Sequence, residues 1–199
     1  GFTVAIGTPK ANINGSWGGS GYGHVIVVEN DILNNSSWKQ ISYLHGAYPG
    51  IVKTKSDTIG PSFGGRRSYA GSSVSLSGDG LTIAIGIPYF PNGDGANTNA
   101  ERGQLVVCER ESGSSKWTIK KIIHGPGRYY AHFGAAISLS EDGSILAIGE
   151  ADPPGTISSN GKVHIYQKDN GIWARKSILR GARTGDLFGR SVSLSKDGS

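Results

Sequence analysis

Ser72 to Pro88 reads SSVSLSGDGLTIAIGIP, and its polar-apolar alternation on either side of an Asp-Gly pair describes two short strands folded back through a tight turn. The string returns as AAISLSEDGSILAIGEA from Ala135 and as RSVSLSKDGS from Arg190 to Ser199. GFTVAIGTP, from Gly1 to Pro9, supplies the half that the last copy lacks. A chain built on a recurring hairpin has a repeat architecture, so the period has to be read before any single element.

Two further elements recur in the same order. One is GHVIVVEN from Gly23, GQLVVCER from Gly103 and GKVHIYQK from Gly161; the other is WKQISYLHG from Trp38, WTIKKIIHG from Trp117 and WARKSILRG from Trp173. Each unit therefore holds four short strands: A (VSLS), B (AIG), C (the Gly-led string) and D (the Trp-led string). β-Branched enrichment, alternation and bounding Gly, Asn and Asp favour strand throughout, and no stretch has helical period. Asp79-Gly80, Asp142-Gly143 and Asp197-Gly198 join A to B, while Asn34-Asn35, Gly113 and Asn170-Gly171 join C to D. The unequal spacing is absorbed by an insertion, mostly residues 47–66.

Four antiparallel strands repeated in this way predict an all-β fold, a β-propeller of four-stranded antiparallel blades with about three blades' worth of strands. Strands B, C and D of one blade occupy 1–46, a second repeat 68–125, a third 132–181, and the first strand of a next repeat 188–199. Inward Val, Ile, Leu and Ala of strands A to C are expected to form the core, with the Trp of strand D sealing blade to blade. Three blades fall short of the ~4–8 that close a ring. The cut lies inside an A–B hairpin at both ends, which predicts either a longer polypeptide or copies that complete one another; the absence of Met and a start already in strand favour the first.

DLFGRSVSLSKDG from Asp186 and YAHFGAAISLSEDGSILAIGEA from Tyr130, followed by GKVHIYQK and a Trp strand ending in Leu-x-Gly, resemble the FG-GAP repeat of the integrin α-subunit propeller and its microbial relatives. The second copy departs from the motif with Tyr69-Ala70-Gly71, and the third with Glu150-Ala151 where Ala-Pro is expected. The resemblance implies a non-catalytic extracellular or cell-surface module for adhesion or protein binding. It leaves open a structural subunit assembled by blade complementation, and an accessory propeller of a larger enzyme. It also brings calcium into question. Repeats of this family that bind the ion place several Asp or Asn at alternating positions of the A–B turn, because calcium takes about six to eight oxygen ligands. SGDGLT, SEDGSI and SKDGS hold one or two carboxylates each, so no metal and no other cofactor is assigned, and Asp79, Asp142 and Asp197 are expected to be turn formers.

Composition agrees with a turn-rich globular chain. Of 199 residues 32 are Gly, about twice the usual ~7%, while the apolar fraction of 36% still provides a core. No apolar run approaches the ~20 residues of a membrane span. A single cysteine, Cys108, excludes an internal disulfide framework, and its alignment with Val28 and Tyr166 marks it as a strand side chain rather than a nucleophile. The net charge of +5 is scattered, which gives no reason to expect nucleic acid. His45 and His124 share a slot that Arg180 fills in the third copy, and His132 aligns with Leu187, so repeat position rather than catalysis accounts for them.

In such a blade the B-to-C and D-to-A connections emerge on one face. They are the long ones here, residues 10–22, 89–102 and 151–160 for the first set and 47–70, 126–132 and 181–187 for the second, and long connections on a rigid scaffold are where recognition concentrates. That face carries aromatic and basic residues outside the repeat register. Trp17, Tyr89, Phe90, Arg102, Arg128, Tyr129 and Tyr130 are the expected ligand-binding residues, for a protein or an anionic glycan. Self-association through unpaired blade edges is a further expectation. Asn14, Asn34 and Asn35 match the N-x-Ser/Thr acceptor pattern and are glycosylation candidates if the chain is secreted in a eukaryote.

Overall fold

The computed structural model describes residues 2–10, 23–31, 37–45, 59–62, 68–90, 102–126, 130–151 and 160–198. They form three four-stranded sheets, and no helix occurs among them. The first sheet orders β1 (Thr3–Thr8), β2 (His24–Asp31), β3 (Ser37–His45) and β4 (Ile59–Ser62). The second orders β5 (Ser73–Leu76), β6 (Thr82–Ile87), β7 (Gln104–Glu109) and β8 (Thr118–His124). The third is β9 (Phe133–Leu139), β10 (Ile145–Glu150), β11 (Lys162–Asp169) and β12 (Ile172–Arg180). The second and third sheets are complete antiparallel A–B–C–D blades, each built from strands consecutive in sequence.

Residues 188–199 are read from the sequence as the first strand of a next repeat; Ser191–Ser195 carry no strand ladder among the described residues. They still run along the third blade, where Leu194 N donates to Ser138 Oγ at 2.9 Å. The first sheet gains a strand that the sequence pattern does not announce. Within the insertion, β4 pairs in parallel with β3, taking the outer edge of that sheet.

Adjacent sheets share two cores, and the strand period decides which residue enters which. Along β6, Ile83, Ile85 and Ile87 enter the core shared with the first sheet, together with Val25, Val27 and Leu44. Ala84, pointing the other way, joins Leu105, Val107 and Ile123 against Ile137, Leu139, Leu146 and Ile148 of the third sheet. Every residue of β6 is buried, as a strand sandwiched between two sheets requires. Trp117 and Trp173, at 3% and 5% exposure, each pack toward the preceding sheet, which is the sealing role expected of them.

Successive blades are stitched by one repeated set of bonds. Ser75 Oγ accepts from Leu139 N at 3.0 Å, just as Ser138 Oγ accepts from Leu194 N. At the A–B turns Gly78 N donates to Glu141 O at 2.7 Å, and Glu141 N to Lys196 O at 2.9 Å. Equivalent turns thus stand side by side in chain order, and the sheets fan out from this inner line as propeller blades. The Phe-Gly motif serves the same junction. Gly103 and Gly161, which open strand C, form parallel bridges to Phe133 and Phe188, and Gly23 does so to Ala70. Gly125, at the end of strand D, leaves room for Phe133: a Cβ there would stand 2.8 Å from the Phe133 Cβ. Ala70 occupies the Phe position of the second copy and is fully buried, so that departure changes the volume filled and keeps the backbone contact.

Candidate functional site

The A–B turns are built from their own side chains. Ser77 N pairs with Thr82 O at 2.9 Å, Gly80 N with Ser77 O at 2.9 Å, and only Gly80 takes a left-handed φ of 69°. This is a four-residue loop on a Ser77–Gly80 turn, rather than a two-residue turn with both Asp and Gly at positive φ. Asp79 is placed by bonding: its Oδ1 accepts from Ser77 Oγ at 2.6 Å and Leu81 N at 2.9 Å. Asp142 repeats this with Ser140 Oγ at 2.6 Å and Ser144 N at 3.0 Å, and Ser144 Oγ reaches its second oxygen at 2.6 Å. Those hydrogen bonds, from the Ser140 and Ser144 hydroxyls first, hold the Asp142 carboxyl below its ordinary range. Asp197 accepts from Ser195 Oγ at 2.8 Å. Carboxylates committed to their own turns, one or two per turn, do not fit calcium; among the described residues no group of three His, Cys, Asp or Glu could hold a metal ion. The C–D turn at Asn170-Gly171 does have both residues at positive φ, 49° and 79°.

On the opposite face the long connections bring three rings together. Tyr69 lies before strand A of the second blade, Tyr89 after its strand B, and His132 before strand A of the third. The Tyr69 and Tyr89 rings meet edge-on at 5.0 Å, and Tyr89 lies 4.6 Å from the His132 imidazole. Tyr69, His132 and Leu187 occupy one repeat slot and all adopt left-handed backbone, with φ of 51°, 45° and 52°. Such conformations cost about 1–3 kcal/mol per residue and persist only where their surroundings impose them. Here the bridge of the next residue to the Gly of strand C imposes it. His132 is buried beneath Tyr89, whereas Tyr89 itself is 36% exposed. Tyr130, also left-handed at φ 65°, is 46% exposed.

Of the residues expected to bind ligand, Tyr89 and Tyr130 present surface on this face. Phe90 is half-buried against the core between the first two sheets and lies 6.4 Å from the His124 ring. Arg102 is half-buried, and its carbonyl accepts from Phe133 N at 3.1 Å. Trp17, Arg128, Tyr129, Asn14, Asn34 and Asn35 lie outside the described residues. Tyr69 and His132, which complete the ring cluster, were legible only as repeat-slot residues, because nothing local to them signals that Tyr89 covers both.

A second feature was also not anticipated. Glu150, the departure noted in the third repeat, is buried between Lys162 and His164 of the adjacent strand; its Oε2 is 2.6 Å from His164 Nε2, and its Oε1 meets Lys162 Nζ. Burial alone would raise this carboxyl, but hydrogen bonds from His164 and Lys162, with their charges, outweigh it and leave Glu150 below the usual carboxylate range. An ionised carboxylate only accepts, so Nε2 of His164 carries the proton between them. The hint in sequence was a Glu at i with Lys and His at i+12 and i+14 across a B–C connection. Cys108, fully buried in β7, has its thiol pushed up to about 12 by burial and by the neighbouring Glu109 charge, which keeps it protonated and inert.

No protein-family model and no curated protein matches the chain. Solved structures do align with it. A protein from Lactobacillus plantarum matches at 15% identity over 79% of this chain and 35% of its own, with a TM-score of 0.45. Saccharomyces cerevisiae Sqt1 matches at 11% identity over 81% and 33%, with a TM-score of 0.41. A structure from a study of two prolyl endopeptidases matches at 12% identity over 89% and 22%, with a TM-score of 0.42. The chain thus spans about a third or less of the length of these structures.

Proposed function

We propose that this chain is a non-catalytic recognition module of the kind its FG-GAP resemblance implies, acting outside the cell and holding an anionic glycan, or an acidic protein surface, on the face of the long connections. The observation that carries the reading is the Tyr69–Tyr89–His132 ring cluster, with Tyr130 exposed two residues before His132 in the chain. Two blades supply the rings, so the surface is held by the scaffold, and aromatic side chains give large contact area at low ordering cost. Trp17, Arg102, Arg128 and Tyr129 belong to the same set of connections in sequence, and the net charge of +5 favours an anionic partner. Secretion in a eukaryote would make Asn14, Asn34 and Asn35 N-glycosylation candidates. Non-catalytic action is supported by the committed state of the titratable groups: the Asp residues form turns, Cys108 stays a thiol, and Glu150 is held by Lys162 Nζ and His164 Nε2.

Retention on immobilised heparin tests the reading. The wild-type chain is expected to bind and to elute with salt, and a Tyr89→Ala, Tyr130→Ala double variant to elute at clearly lower salt. Equal elution of the two proteins, with the variant still folded, would refute the assignment of this face.

A further inference from the structure

The Trp-led strands form the outer edges of the sheets, and among the described residues only one of those edges carries a further strand. β4 pairs in parallel along β3, with Tyr43 opposite Ile59 and His45 opposite Ser62, and it also comes close to β8 of the next sheet. It therefore runs at the rim of the cleft between the first two sheets, pairing with the strand on one side and passing the strand on the other. The pleat decides which side chains of β8 form the wall beside it. Ile119, Ile122 and His124 pair with Cys108, Val106 and Gln104 of β7 and so share the face of that strand that enters the core with the first sheet. This wall holds no Lys, Arg, Asp or Glu, and neither does the strand laid along it, Ile59-Gly60-Pro61-Ser62.

The cleft between the second and third sheets has the same construction and a different chemistry. On β12 the slots of Ile119, Ile122 and His124 are filled by Arg175, Ile178 and Arg180, which pair with Tyr166, His164 and Lys162 and so face the second sheet. Arg175 donates to the Tyr166 hydroxyl, which holds its guanidinium at the cleft. Arg180 stands opposite Lys162, a like-charge pair, and the carboxylate nearest them, Glu150, is buried and bound by Lys162 and His164. On the other wall Lys121 of β8 takes the slot of Ser42. Neither β8 nor β12 contains an Asp or Glu, and among the described residues Lys121, Arg175 and Arg180 enter no ion pair. Cations on an edge strand repel a second copy of that basic edge. The same charge selects an acidic strand.

We propose that the rim cleft between β8 and β12 receives an extended acidic segment of a partner protein, added in parallel to the outer edge of β8 as β4 is added to β3. The register copies that of β4, so the incoming strand runs beside Ile122 and His124, the residues in the slots of Tyr43 and His45. Main-chain hydrogen bonds to the β8 edge supply affinity without regard to sequence, and carboxylates at alternate positions of the segment meet Arg175 and Arg180 across the cleft. Both walls belong to complete blades. The site shares no residue with the Tyr69–Tyr89–His132 cluster, so it stands apart from the recognition face proposed above.

Fluorescence anisotropy of a fluorescein-labelled peptide of alternating Glu and Val, titrated with the chain, tests this. Saturable binding that weakens with added salt is expected. An Arg175→Glu, Arg180→Glu double variant, changed at two exposed positions and checked for an unchanged far-ultraviolet spectrum, should bind about tenfold more weakly or worse. Lys121→Glu on the facing wall should weaken binding about threefold and leaves the Arg175–Tyr166 contact in place. A peptide of the same sequence with methylated backbone nitrogens should lose binding, whereas the Tyr89→Ala, Tyr130→Ala variant should bind like the wild type. No saturation up to the millimolar range, equal binding of the methylated peptide, or unchanged affinity in both charge variants would overturn the proposal. So would a chain that ignores the peptide while its retention on heparin depends on Arg175 and Arg180, a result that would assign the cleft to a glycan.

Discussion

Replacing Trp117, Trp173 or Trp38 by Ala removes the same side chain from the same slot of three repeats, yet the blade arrangement assigns the three changes different costs. Trp117 and Trp173 are sealed between sheets, so truncation leaves a cavity and should cost ~3–5 kcal/mol. Trp117→Ala also removes the ring lying 5.1 Å from the Arg110 guanidinium, a cation–π contact contributing ~0.5–2 kcal/mol. Trp38 already leaves half its surface in water. A Trp buries ~150–250 Å², so the half that differs is about 75–125 Å², and at ~25 cal/mol per Å² the cost of Trp38→Ala should be lower by ~2–3 kcal/mol. Guanidinium unfolding followed by far-ultraviolet circular dichroism reads the difference as a midpoint shift at constant slope. Costs within ~1 kcal/mol of one another for all three variants would refute the reasoning, because they would mean that no neighbouring sheet distinguishes the three slots.

Two further outcomes follow from the junctions and the buried carboxylate. Gly86→Ala places a Cβ on the Gly134 carbonyl oxygen and on Ser73 Oγ, so the second and third sheets must separate; thermal melting should show a loss of ~1–3 kcal/mol or more, and wild-type stability would contradict the close approach. Glu150 has its carboxyl lowered in the folded chain, so the stability it contributes is present above its unfolded value and lost as the pH falls through the folded one. Glu150→Ala should cost ~1–3 kcal/mol at neutral pH by leaving the buried His164 Nε2 hydrogen without its acceptor, and the gap to wild type, read from melts across the acid range, should narrow as the pH drops; a gap independent of pH would remove the ionised carboxylate from the account.

Much of the fold is legible in the sequence because the repeat displays it three times. SxDG turns, the Gly before strand C and the Trp of strand D recur in order, and each recurrence fixes a slot whose physical role one copy alone would leave ambiguous. The Phe-Gly pair is a clear case: its Gly lets the backbone of one blade lie against the next, and Ala70 can stand for Phe because the backbone bridge needs no ring. What could not be read is what the repeat does not contain. The parallel strand β4 comes from an insertion that has no counterpart in the other copies. The exposure of Trp38 depends on a neighbour rather than on its own segment. The ring cluster joins Tyr69, Tyr89 and His132 from three separate connections, and the Glu150–His164 contact depends on a register across a loop whose length sets no spacing rule.

The arrangement of sheets about an inner line of turns is tested most directly by disulfide trapping at equivalent turn positions. Gly78→Cys with Glu141→Cys, and Glu141→Cys with Lys196→Cys, place thiols at turns joined by backbone hydrogen bonds of 2.7 and 2.9 Å. Buried Cys108 stays out of the reaction. Both pairs are predicted to cross-link within one chain under mild oxidation, while Gly78→Cys with Lys196→Cys, two blades apart, does not. Cross-linking of the outer pair in preference to either adjacent pair would contradict the sequential order of blades on which the whole account rests.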